Sequence, residues 1–374
     1  MDIQVKEVKR RRDLKEFIYL PEKIHKGHKN WVPPLYIDEW KYFNPKKNKS
    51  FSYCNTILLL AWRGKKPVGR IMGIINNRYN KLKGEKVARF CYLETWEERE
   101  VAHTLIHQIE DWARKKGMER IVGPYGFSDQ DPEGFLIEGF ENRATIATYY
   151  NYEWMPKFVE EAGYTKDIDY FTYKVEVPKK MPEFYMKIFE RVKRRGQFEV
   201  MEFRKRKELK YWIRPVLSLM NECYTESNIY GYTPLDEKEM DDLANRYLPV
   251  IDPRFVKVAI KDGEVVGFVV GIPDMTKGIQ KAKGHLLPFG FLWIIRAAKK
   301  AKQLDLLLGA IKAKYRGLGI DVLMGVRMLA SAIEAGFEVI DSHHEMEENV
   351  KMRAEMEKMG GKVYKKYRVF QKKL

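Results

Sequence analysis

The residues best placed for chemistry lie late in the chain, in the run LDLLLGAIKAKYRGLGID (304–321). An apolar, β-rich stretch ends at about Ile311 and Ala313. A loop then carries Arg316, Gly317, Leu318 and Gly319, and Ile320 and Asp321 open a helix. Glycine tolerates backbone conformations that turn successive N–H groups toward one point. The helix dipole favours an anion there, and Arg316 adds a charge-assisted contact. The chemistry implied is capture of a phosphate or pyrophosphate. No Gly-Lys-Ser/Thr follows and the GxGxxG fingerprint is incomplete, so neither a P-loop nor a dinucleotide fold is indicated. The same glycines also suit a plain turn. Asp321 brings a carboxylate close to the anion unless its side chain turns away to cap the helix.

A second group, His343, His344, Glu345 and Glu347, follows the strand-like FEVIDSH. A Glu or His whose pKa burial has moved toward neutrality can take a proton from an attacking nucleophile. His343, Glu345 and Glu347 are the candidate catalytic bases. They equally suit an ordinary polar turn. A third group, Asp129, Asp131, Glu133 and Glu138 in the glycine-rich segment 123–141, could receive a cationic amine or form an acidic loop. His103 and His107 stand one helical turn apart without an HExxH partner. The three cysteines lack metal-ligand spacing, so no metal is expected.

The chain positions these residues by repeating itself. IQVKEVKRRRDLKEFI (3–18) parallels FEVMEFRKRKELKYWI (198–213), and AWRGKKPVGRIMGII (61–75) parallels AIKDGEVVGFVVGIP (259–273). MPKFVEEAGYTKDIDYFTYKV (155–175) parallels MRAEMEKMGGKVYKKYRVF (352–370). The offsets stay between 195 and 198, a single register in three separated places. Each half reads as strand, helices, hairpin, long strand, helix, strand, helix, strand. Long helices are predicted over 97–117 and 321–336, stopped by Gly117 and Gly336. The seam falls near VPKKMP (177–182), giving domains 1–178 and 179–374.

Length and composition agree. Two domains of about 180 residues suit 374 residues, and 45% hydrophobic content can fill two cores. Three widely spaced cysteines point to a reducing cytoplasm. No apolar run is long enough to span a bilayer. The net charge of +17 attracts polyanions, anionic lipid or a phosphate-rich cofactor among them, or reflects a generally solvated surface. In 285–302, apolar residues around Trp293 precede Arg296, Lys299, Lys300 and Lys302. That order fits peripheral contact with an anionic membrane face, the mouth of an acyl tunnel, or a buried helix with a basic end.

YRGLGID resembles the pyrophosphate loop of the GNAT acyltransferases, Arg/Gln-x-x-Gly-x-Gly/Ala after the fourth strand. Arg316 and Gly319 match its first two fixed positions, and Asp321 stands where a small residue is usual. Asn349 matches the family's asparagine bordering the cofactor, and Glu347 a glutamate often found two residues before it. The usual tyrosine acid falls on Met356. In the first half Glu94, Glu97, Glu98 and Glu100 occupy the loop position, so that half resembles a GNAT partner without cofactor. HKNWVPPL (28–35), GPYGFSDQDPEGFLIEGFE (123–141), 286–321 and KVYKKYRVFQKKL (362–374) resemble the bacterial ceramide synthase-like family of tandem GNAT proteins.

The resemblance implies two tandem α/β (α+β) domains, each a mixed, mostly antiparallel sheet flanked by helices. It implies an acyl-CoA or acetyl-CoA donor on Ile311, Ala313, Arg316, Gly317, Leu318, Gly319, Ile320, Asp321 and Asn349, and an amine acceptor such as a sphingoid base. Met356 and Asp321 keep open a non-catalytic acyl-CoA or lipid-binding protein. The charge keeps open an aminoacyl-tRNA-dependent transferase, although the intact loop and the lack of a helical arm do not suggest nucleic acid.

Overall fold

The computed structural model describes residues 2–374. The first half contains strands β1 (Ile3–Glu7), β2 (Cys54–Arg63), β3 (Lys66–Asn76), β4 (Val87–Thr95), β5 (Arg120–Gly123), β6 (Phe135–Glu138) and β7 (Thr165–Glu176). Its helices are α1 (Arg11–Ile24), α2 (Tyr36–Tyr42), α3 (Asn77–Lys83), α4 (Arg99–Lys115) and α5 (Trp154–Glu161). The second half contains β8 (Glu199–Glu202), β9 (Val256–Lys261), β10 (Glu264–Pro273), β11 (Gln303–Ile311), β12 (Val339–Asp341), β13 (Glu345–Met346) and β14 (Lys362–Lys373). Its helices are α6 (Glu183–Arg194), α7 (Arg206–Glu226), α8 (Glu237–Tyr247), α9 (Thr276–Lys281), α10 (Gly290–Lys299), α11 (Ile320–Glu334) and α12 (Val350–Lys358).

The repeat has a packing cause. On α4, Val101, Leu105, Ile106 and Ile109 form a stripe at helical spacing that is buried against the sheet. The equivalent glycines lie where helix crosses strand. A Cβ at Gly69 would stand 2.7 Å from Val101, and one at Gly267 would stand 3.1 Å from Ile320. A side chain at Gly69 would collide with Val101 and Leu105, and one at Gly267 would crowd Ile320 and Met324. Gly117 and Gly336 end the long helices in the left-handed conformation, as the sequence predicts.

The halves do not form separate sheets. One path runs β1-β2-β3-β4-β5-β14-β7-β12-β11-β10-β9-β8. The last strand of each half is exchanged: β14 pairs with β5 of the first half, and β7 pairs with β12 of the second. The two exchanged strands pair antiparallel with each other, with Tyr170 opposite Tyr367.

Candidate functional site

The strands that part in the second half create the opening for the site. β11 and β12 pair in parallel only at Gln303–Val339, Leu304–Ile340 and Asp305–Asp341. Beyond Asp305, β11 continues to Ile311 with β10 on one side only. At its far end the chain makes the predicted glycine loop, with φ of 74° at Gly317 and 93° at Gly319. Helix α11 (15 residues) starts at Ile320. Among the described residues, the amides of Gly317, Gly319, Ile320, Asp321 and Val322 have no protein acceptor. Val192 of α6 closes one side of the loop, 2.7 Å from where a Gly319 Cβ would be. A cradle of free N–H groups at a helix start fits a pyrophosphate, and the unpaired edge of β11 fits an extended amide-containing arm beside it.

The side chains around this cradle are differently disposed. Arg316 donates from Nε to the Ile311 carbonyl at 2.9 Å and from Nη2 to Ser227 Oγ at 3.0 Å, so its guanidinium lies along the end of β11. Gly319 is the N-cap residue and Asp321 lies in the first helical turn, so Asp321 does not cap the helix. Its carboxylate instead bears on Glu355 of α12, whose pKa is raised by burial and then by Asp321. Asn349 is the exposed N-cap residue of α12, but its side chain makes no capping hydrogen bond; its Nδ2 lies 3.5 Å from Glu345 Oε2 instead. Met356 is 3% exposed and packs in the core under α11 and β12, leaving that position without any polar group.

Of the candidate bases, Glu345 is the one poised by its surroundings. Burial, with Glu355 adding to it, pushes its pKa up to about 8. Glu347 is engaged elsewhere: its Oε2 meets Lys166 Nζ at 2.6 Å and its Oε1 accepts from the Asp169 amide at 3.0 Å. His343 adopts a positive φ of 59°, and its Nε2 lies 2.9 Å from the Ile146 carbonyl. Since a carbonyl can only accept, Nε2 carries the proton in that pairing. Burial holds the ring below its usual pKa. His344 is also held neutral by burial; its ring stacks on Tyr170 and lies tilted against Tyr367, 4.3 Å between ring centres, at the strand exchange.

The acidic segment 123–141 divides in two. Asp131 accepts from Tyr42 Oη at 3.0 Å and from the Phe127 amide at 2.7 Å, and Glu138 pairs with Lys366 at 3.7 Å. Asp129 and Glu133 point inward instead. Burial lifts Asp129 to about 7 and Glu133 well above the carboxylate range, each helped by the other's charge or by Asp131. Asp129 Oδ1, Glu133 Oε2 and His344 Nε2 are buried without a hydrogen-bond partner, and Glu133 Oε1 stands 4.0 Å from His344 Nδ1. Buried carboxyls without partners are costly, and a cationic ligand would satisfy them.

Sequence reading did not find Tyr224 on α7. Its hydroxyl sits beside the Gly309 amide of β11, and burial and the charges of Asp129 and Glu345 raise its pKa. Nothing in its spacing marks it, because α7 reaches the site only by packing across β10 and β11. Among the described residues no cluster suits a metal ion, and no helix is long and apolar enough to cross a membrane. His103 lies 2.9 Å from the Phe158 carbonyl.

No family model matches the chain. It is 30% identical over 383 residues to the bacterial ceramide synthase of Caulobacter vibrioides, covering 100% of this chain and 98% of the relative. It is 24% identical to Protein YghO of Escherichia coli, covering 97% and 93% of the two chains. A tandem GNAT protein from the clavulanic acid biosynthesis pathway superposes with a TM-score of 0.56 at 11% identity, covering 100% of this chain and 98% of that one. A GCN5-related N-acetyltransferase from Sphaerobacter thermophilus gives 0.54 at 11% identity, covering 99% and 95%. The fold is therefore of the tandem GNAT type, α/β with a mostly antiparallel sheet flanked by helices.

Proposed function

The chain belongs to the bacterial ceramide synthase-like family of tandem GNAT proteins, and from that premise we propose that it is an acyl-CoA-dependent N-acyltransferase acting on a long-chain amine. The observation that carries this reading is the convergence of two unlike sites. A cradle of free amides at Gly317 and Gly319–Val322 suits the donor's pyrophosphate, and the carboxyl oxygens of Asp129 and Glu133 that lack a hydrogen-bond partner suit a cationic acceptor. Tyr224 feels the charges of both Asp129 and Glu345, which ties the candidate base to the acidic side. The donor supplies a thioester carbonyl.

Asp129 and Glu133 draw the protonated amine out of water and hold it. Glu345, with a pKa near 8, takes a proton from the bound ammonium, so that the nitrogen lone pair becomes available for attack on the thioester carbon. The C–N bond forms as the C–S bond breaks. Tyr224 donates its proton to the departing thiolate, the role that buried Met356 cannot fill, and is reprotonated by the second proton that the nitrogen sheds as the amide forms. Arg316 and the loop amides keep the donor in place, and Asn349 borders it.

The test is thiol release from a long-chain acyl-CoA by the purified protein, with sphinganine or a simple long-chain amine as acceptor. Amine-dependent release that disappears in Glu345→Gln is expected. Tight binding of acyl-CoA with no release for any amine would overturn the catalytic reading and leave acyl-CoA binding as the function.

A further inference from the structure

Thirty residues on one side of the second half fit no part of the proposed reaction. Of the sixteen exposed large hydrophobic side chains among the described residues, six fall between 287 and 295: Leu287, Phe289, Phe291, Leu292, Trp293 and Ile295. Leu287 is 75% exposed and Phe289 68%, so these are not the rims of a buried cluster. A patch of this kind on a soluble fold marks an interaction surface.

The patch is carried rigidly. Helices α9 and α10 pack so closely that a Cβ at Gly278 would come within 2.6 Å of Ile294 Cα. Ile294 is the inward residue of α10 and sits with Ile272, Met275 and Ile279. Lys281 Nζ lies 3.5 Å from the centre of the Trp293 ring, holding the indole at the edge of the patch. The outward face of α10 therefore has a fixed shape and no cover.

Its border has one sign of charge. Between Asp274 and Asp305 the sequence has no acidic residue, while Lys277, Lys281, Lys283, Arg296, Lys299, Lys300 and Lys302 are all exposed. Among the described residues only Lys302 of these seven has a carboxylate partner, Glu338 at 3.2 Å. Exposed Leu, Phe and Trp surrounded by unpaired lysines suit a surface that is apolar inside and anionic at its boundary. We propose that the α9–α10 hairpin docks the protein on the surface of an anionic lipid bilayer, with 287–295 entering the headgroup layer. A second copy fits less well, because a two-fold contact through this face would bring the basic borders together. The docked face adjoins the site: Ile146, whose carbonyl holds His343, and Leu307 of β11 both pack beneath the hairpin.

The experiment is co-sedimentation of the full chain with vesicles of phosphatidylglycerol and phosphatidylethanolamine, and separately of phosphatidylcholine. Sedimentation with the anionic vesicles only is expected. Both Leu287→Ser/Phe289→Ser and Lys299→Glu/Lys300→Glu should lower the partition coefficient at least about tenfold, with thermal transition and CoA affinity unchanged. The readout needs no turnover, so it is independent of the acyltransferase assignment. Wild type remaining in the supernatant, or either variant sedimenting like wild type, overturns the proposal. So does a wild-type dimer by light scattering that both variants dissolve while vesicles capture nothing.

Discussion

Tyr170 of β7 and Tyr367 of β14 stand opposite each other in antiparallel register and are themselves repeat equivalents, 197 residues apart like Gly163 and Gly360. The two halves are therefore related about this pair, and each half's sheet is completed by the other's last strand. The His344 ring stacks on Tyr170 and lies tilted against Tyr367, so it sits at the point where the two halves meet.

The exchange predicts that the halves are not independent folding units. Fragment 1–178 alone leaves β5 without β14, and fragment 179–374 alone leaves β12 without β7. Neither is expected to give a cooperative thermal transition by circular dichroism, whereas co-expressed fragments should form a complex with one. A cooperative transition in either fragment alone would show that the exchange is dispensable.

Glu345 and Glu347 should separate cleanly in kinetics. Glu345→Gln is expected to lower kcat by about 10²–10⁴-fold. The wild-type rate should rise with pH toward an inflection near 8, where Glu345 loses its proton. Glu347→Gln breaks a partly exposed pair with Lys166 and should cost stability by no more than about 1 kcal/mol, with kcat nearly unchanged. The reverse pattern would assign the base to Glu347.

The same shift predicts a stability effect of defined sign. The folded-state pKa of Glu345 is raised from 4.5 to about 8, so the folded protein binds more protons than the unfolded chain between those values. Its contribution is fully present below pH 4.5 and is lost as pH rises through 8. Glu345→Gln, a permanent mimic of the protonated form, should gain stability relative to wild type across that window in urea titrations. Parallel wild-type and variant curves would mean that the carboxyl is solvated.

Gly319→Val should abolish the donor site. It places a branched side chain at φ 93° and against Val192. A loss of CoA affinity of at least about tenfold is expected by calorimetry, and Arg316→Ala should weaken binding by a smaller factor.

Acceptor and acid should also part company. Asp129→Asn is expected to raise KM for the amine with little change in CoA affinity, since the proposed reaction assigns that side chain to the acceptor. Tyr224→Phe should lower kcat without moving either affinity, most visibly with donors whose thiols are poor leaving groups. Equal loss of both affinities in Tyr224→Phe would make it a packing residue.

Much of this was legible in the residues. The repeat follows from glycines that permit helix–sheet contact, and the loop 316–321 from glycines ahead of an amphipathic helix. Both signals are local in sequence, so spacing alone reveals them. Sequence also placed acids in 123–141 and in 343–347, but could not sort them. Asp129 is separated from Asp131, and Glu345 from Glu347, by which way each side chain turns once distant strands have packed, and that decides burial, partners and pKa. Tyr224 and the exchange of β7 with β14 depend on contacts between segments far apart in the chain. A strand's alternation fixes which face it buries but not which neighbour it pairs with, so that choice belonged to the tertiary structure alone.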